Sequence, residues 1–142
     1  KMVHHFQQQG LLPVRFGPME ADGSLPQVPE GAFAIGKCIF QGSSIGVIFT
    51  FPLRKGLSVG EARAGALGLV IAGNDEDGLR DVLSLGQPTI PPMVRPPYAN
   101  MQPDFVVTGP ELAWKGIGGV LASGYWGNRW EFLPESSYSA DP

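Results

Sequence analysis

An α+β fold with an antiparallel sheet is predicted by three features of the sequence. The stretch from Phe33 to Phe51 alternates residue character with the period of two that half-buried strands require. The next run, Val59 to Ala72, is apolar or small nearly all round and opens on a helix-start signal. A third region, from Asp104 to the C-terminus, mixes short alternating segments with Gly-rich turns. The expected architecture is a sheet built on a central β-hairpin, about 33–51, packed against a buried helix, about 59–72. A Pro-rich connection and a C-terminal helix or turn and strand complete it.

Each element follows from local chemistry. Residues 1–10 form a polar lead-in, and Leu11–Phe16 reads as a short strand that Pro13 confines to an edge. Residues 17–31 are rich in Gly, Pro and acids and read as loop. In "AFAIGKCIF", Phe33, Ile35 and Ile39 share one parity, which Lys37 interrupts. In "SIGVIFTF", Ile45, Val47, Phe49 and Phe51 share one face. Gln41–Ser44 between the two runs is the expected hairpin turn. Ser58 and Glu61 then match the S-x-x-E capping box, which satisfies free amides at a helix start. Val59, Ala62, Ala66 and Val70 recur at helical spacing, and Gly73-Asn74 supplies a stop. "NDEDGLRDVLSLG" predicts a short helix with acids in its first turn and a Leu79, Val82, Leu83 stripe. "QPTIPPMVRPPYANMQP" reads as an extended connection. Asp104–Thr108 is a short strand, Leu112 to Leu121 a Gly-weakened helix, and Asn128–Leu133 a closing strand. Residues 1–10 and 134–142 are expected to fray.

The 142 residues suit a single domain with a core that needs no staple. Charged residues make up 16%, below the roughly 25% of a typical domain. The net charge is −3 and the ten Lys and Arg are scattered, which argues against nucleic acid and acidic membrane surfaces as partners. The one cysteine, Cys38, excludes an internal disulfide and lies in an apolar run where an inert thiol is expected. No 18-residue apolar span predicts membrane insertion. "KMVHHFQQQG" has no signal-peptide character, which sets a soluble, cytoplasmic expectation.

Several motifs invite chemistry. Gly42-Ser43-Ser44-Ile45-Gly46 spells G-x-S-x-G, but a nucleophile elbow needs a helix after the serine, and strand periodicity follows here. The two histidines, His4 and His5, lie upstream, contrary to the hydrolase order of Ser, acid, His. Adjacent histidines also chelate one metal poorly, and with Cys38 they make three Cys or His in all, short of a four-ligand zinc set. In "NDEDG", Asp75, Asp77 and Asp81 fit the middle of an EF-hand loop, whereas its first and twelfth positions are Gly73 and Ser84. "KGIGG" fits neither phosphate-loop pattern. No metal or cofactor is therefore expected.

The segment "GYWGNRW" carries more weight. Tyr125, Trp126, Arg129 and Trp130 are the residue types enriched at binding hot spots, and they flank a glycine turn. The expected function is accordingly a non-catalytic protein-binding domain, of inhibitor, immunity or assembly-subunit type. It would recognise a protein partner, or a second copy of itself, through this aromatic and arginine surface. Trp126 and Trp130 could equally be core, and "IPPMVRPPY" is a further exposed-ligand candidate. The alternative is a small carboxylate-dependent enzyme using Asp75, Asp77 or Glu131, with a serine hydrolase behind it.

Overall fold

A computed structural model describes residues 2–85 and 103–139 of the chain. It is an α+β structure with antiparallel sheets of three and five strands. The small sheet has the order β1-β2-β3, from β1 (Arg15–Phe16), β2 (Phe33–Ile35) and β3 (Cys38–Phe40). The large sheet comprises β4 (Gly46–Pro52), β5 (Leu67–Gly73), β6 (Phe105–Thr108), β7 (Val120–Trp126) and β8 (Phe132–Ser139). Its spatial order is β5-β4-β6-β7-β8.

The expected hairpin over 33–51 does not form. The chain reverses earlier, at Gly36-Lys37, with Ile35 paired to Cys38. Gly36 has φ 58°, the left-handed backbone that a two-residue hairpin turn needs. The parity break at Lys37 was this turn. Gln41–Ser44 instead carries the chain from one sheet to the other. It is held from across the molecule: Asn74 Nδ2 donates to Phe40 O at 3.2 Å and Gly42 O at 3.3 Å. The Ser44 amide donates to the Asp75 carboxylate at 2.9 Å.

The helix expected over 59–72 is also corrected. The capping box forms, with Glu61 N donating to Ser58 Oγ and Ser58 N to Glu61 Oε1, both at 3.2 Å. The helix it opens, α2 (Val59–Arg63), lasts little more than one turn. Gly65 then takes φ 150°, and the run from Leu67 becomes β5. β5 pairs with β4 along its whole length, from Gly46↔Gly73 to Pro52↔Leu67. Glycines at 65 and 68 weaken a helix, while Val70 and Ile71 are β-branched and suit a pleated surface.

The helix predicted after Asn74 is present as α3 (Glu76–Leu85). Val82 is fully buried, whereas Leu79 and Leu83 remain partly exposed. α3 lies close on the sheet through glycines. A Cβ on Gly46 would overlap the Gly78 carbonyl, and one on Gly78 would overlap the Ile45 backbone. The helix expected from Leu112 to Leu121 is α4 (Leu112–Lys115), then a tighter turn over Gly116–Gly119 and β7. Gly116, at φ 57°, ends it.

Where described, both termini carry secondary structure. The lead-in forms the helix α1 (Met2–Gln8), whose Phe6 ring lies 5.0 Å from that of Phe51. The Gln7 amide brackets Phe16, donating to its carbonyl at 3.0 Å and accepting its N–H at 2.7 Å. The closing strand starts at Phe132, not Asn128, and residues 134–139 continue β8 against β7. The Pro-rich connection lies, but for Pro103, outside the described residues.

One hydrophobic cluster joins the two sheets. Phe33 and Ile35 from the small sheet share it with Val47, Phe49, Phe51, Phe105, Val107 and Trp126 from the large one. Phe16 bridges them, its ring centroid 6.0 Å from both Phe33 and Phe49. Asp104 is the buried charge of this region. It pairs with Arg63 at 2.6 Å and accepts the Trp126 amide at 3.0 Å. Pairing and hydrogen bonding are what make a buried carboxylate tolerable. Cys38 is half-buried in β3 and free of any disulfide.

Candidate functional site

The turn between β7 and β8 is built by its own backbone. Gly127 N donates to Glu131 O and Trp130 N to Gly127 O, both at 2.8 Å. Trp130 takes the left-handed φ of 67°, which swings its side chain out of strand alternation. Its indole Nε1 donates to Leu57 O at 2.8 Å, and Val59 N donates to Asn128 O at 3.2 Å. The turn is thereby stitched to the segment leading into α2. Between that segment, the turn and residues 9–13 after α1 opens a cleft of about 690 Å³. Its wall includes Leu11, Leu12, Leu57 and Trp130, and its charged groups are Lys55, Glu61 and Arg129. Hydrogen bonds from Ser58, side chain first and backbone second, hold the Glu61 carboxyl below its ordinary range. The cleft therefore presents two cations against one carboxylate that is already committed to a helix cap.

The four aromatic and arginine residues singled out by sequence do not form one surface. Trp126 is 5% exposed, stacks on Phe105 at 4.6 Å and donates Nε1–H to Thr50 O at 3.0 Å. It is a core residue, because strand alternation on β7 turns it inward. The same alternation sends the half-buried Tyr125 to the other face of the sheet. Only Arg129 and Trp130 border the cleft. One contributor was missed, Lys55, in a short charged loop with no periodicity to place it. A further exposed aromatic, Trp114, lies outside the cleft lining. Trp114 is 70% exposed on α4, with Lys115 Nζ 4.9 Å from its ring centroid. Its signal was its position two residues from the buried Leu112, which on a helix means the opposite side.

The candidate carboxylates stand apart. Asp75 and Asp77 lie at the start of α3, beside the Gly46↔Gly73 end of the large sheet. Glu131 lies in the β7–β8 turn at the other end, accepting the Arg129 amide at 2.8 Å. The Asp75 carboxylate accepts Gly78 N at 2.8 Å and Ser44 N at 2.9 Å, and these bonds, Gly78 first, lower its pKa. Asp77 pairs with Arg80 at 3.5 Å on the exposed helix surface. Ser44 has φ 58° but leads into a strand, so the strand-turn-helix frame of an elbow is not built. Among the described residues, no three His, Cys, Asp or Glu side chains cluster to hold a metal, and no helix is long and apolar enough to cross a membrane.

Comparison with known proteins returned no matching family model, no matching curated sequence and no matching solved structure.

Proposed function

We propose that the chain is a non-catalytic protein-binding domain, of inhibitor, immunity or assembly-subunit type, whose cleft receives an acidic extended segment of its partner. The observation that carries this is the pairing of a fixed indole with two cations at one opening. Trp130 is held by Leu57, while Lys55 and Arg129 line the same cleft. An immobilised indole contributes contact area at little entropic cost, and arginine pairs carboxylates bidentately. The carboxylate-enzyme alternative has weaker support. Its candidate groups stand at opposite ends of the sheet, and Asp75 spends its oxygens on backbone amides. A lowered pKa is also the wrong direction for a proton donor at neutral pH.

The test is selection of displayed random peptides against the full chain. Acidic peptides should be enriched, and Arg129→Glu should weaken the selected ones at least about tenfold, roughly 1.4 kcal/mol. The thermal midpoint of the variant should stay that of the parent, since the Arg129 side chain is exposed. Enrichment without acidic bias, or binding that survives Arg129→Glu, rejects the cleft as the recognition site.

A further inference from the structure

The outer edge of β5 carries a second surface, independent of the cleft. β5 ends the large sheet among the described residues. Its backbone orientation follows from two flanking bonds. Leu53 N donates to Ala66 O and Asn74 N donates to Ile45 O, so even-numbered residues of this strand face β4. By the alternation of an antiparallel ladder, the amides and carbonyls of Leu67, Leu69, Ile71 and Gly73 point away from β4 along the edge. The side chains of Leu67 and Leu69 are exposed, Leu69 at 59%. From Ala64 to Asn74 the sequence has no charge and no proline. Edges that must stay single carry lysine, proline or a bulge to prevent pairing. This one carries none of them.

We propose that β5 pairs antiparallel with β5 of a second copy about a two-fold axis at Val70, joining the two large sheets into one. This register sets Leu67 opposite Gly73 of the second copy and Leu69 opposite Ile71. Every outward amide then meets an outward carbonyl over the full strand. Leu69 and Ile71 become cross-strand neighbours on one face, and Val70 meets its own copy on the other. Charge selects this orientation. The chain before β5 carries the exposed Arg54 and Lys55 against Glu61, its Arg63 being paired with Asp104, and the chain after it carries Asp75, Glu76, Asp77 and Asp81 against Arg80. Antiparallel pairing lays the basic flank of one copy beside the acidic flank of the other, whereas parallel pairing sets like beside like. A second copy therefore supplies the strand, the apolar face and the complementary charge together, and the interface is isologous.

Sedimentation of the full chain from micromolar to millimolar concentration should show a dimer. Leu69→Pro removes one outward amide at a position where an edge strand tolerates proline, and it should shift the species to monomer. In a Cys38→Ser background, Val70→Cys places two thiols at the axis. Cα atoms of such a non-hydrogen-bonded pair stand ~4.5 Å apart, within disulfide reach, so oxidation should give a covalent dimer. Leu67→Cys, whose opposite residue is Gly73, should cross-link far less. A monomer at all concentrations overturns the proposal and assigns the edge to another occupant. So does a dimer that persists in Leu69→Pro, or one that fails to cross-link through Val70→Cys. None of these variants touches the cleft, so failure here leaves the peptide-binding proposal standing.

Discussion

The carboxylate of Asp75 ties the inter-sheet loop to the start of α3, accepting the amides of Ser44 and Gly78. Hydrogen bonds to the ionised form lower its pKa from the ordinary 3.8. The sign of the consequence follows from linkage. A depressed carboxyl contributes stability that is fully present above the unfolded pKa and is lost as pH falls through the folded one. Urea midpoints should therefore fall between about pH 5 and the lower, folded value, and Asp75→Asn should fall less over that window. Equal slopes for parent and variant would remove Asp75 as the source. The contrast with Trp126 and Trp130 is instructive at the same scale. Four residues apart and of one type, they differ because one obeys strand alternation and the other sits at positive φ in a turn. Residue type therefore identified the cluster, while backbone conformation divided it.

Among elements, α3 against β4 gives the most direct test of packing over propensity. Gly78 is helical, so alanine there gains up to about 1 kcal/mol from propensity alone. Its Cβ would overlap the Ile45 backbone, which cannot move aside as a flexible side chain does. Gly78→Ala should destabilise by about 1–3 kcal/mol. Gly60→Ala in α2 is the matched control, because nothing lies within 4 Å of its Cβ, and it should stabilise by up to about 1 kcal/mol. Denaturant curves giving both changes the same sign would contradict the close approach. Elements with one unambiguous period were legible in the sequence: β4 from its Val47, Phe49, Phe51 face, β6, and α3 from its acidic start and Val82. The run from Leu67 to Gly73 was not. An uncharged apolar stretch satisfies helical and strand templates alike, and what decides is its full-length pairing with β4, a contact that local sequence does not encode. The hairpin at Gly36-Lys37 was written as a broken parity, but the longer Gly-Ser stretch that follows is the stronger turn signal by composition. The cleft was half legible, in Arg129 and Trp130. Lys55 and the wall from residues 9–13 reach it only through tertiary folding.

Across the whole molecule, the question is whether two sheets of unequal size behave as one cooperative body. The small sheet is short, with strands of two and three residues, and cannot bury enough apolar surface to stand alone. Phe33 is buried in the cluster it shares with Phe49, Phe105 and Trp126, and Phe16 spans the gap between Phe33 and Phe49. The expectation of a single domain thus becomes a measurement. All three tryptophans lie with the large sheet, in α4, β7 and the β7–β8 turn, so fluorescence reports that sheet. Far-ultraviolet dichroism reports both. Phe33→Ala, made in the small sheet, should cost about 3–5 kcal/mol through lost burial and the cavity it leaves. If the core is shared, the fluorescence and dichroism midpoints should fall together and by the same amount, as a two-state chain of this length requires. A fluorescence midpoint that stays at the parent value while dichroism loses part of its signal would divide the molecule at the Gln41–Ser44 crossover. The small sheet would then be an appendage of the large one, and Phe16 would pack the two bodies without making them fold together.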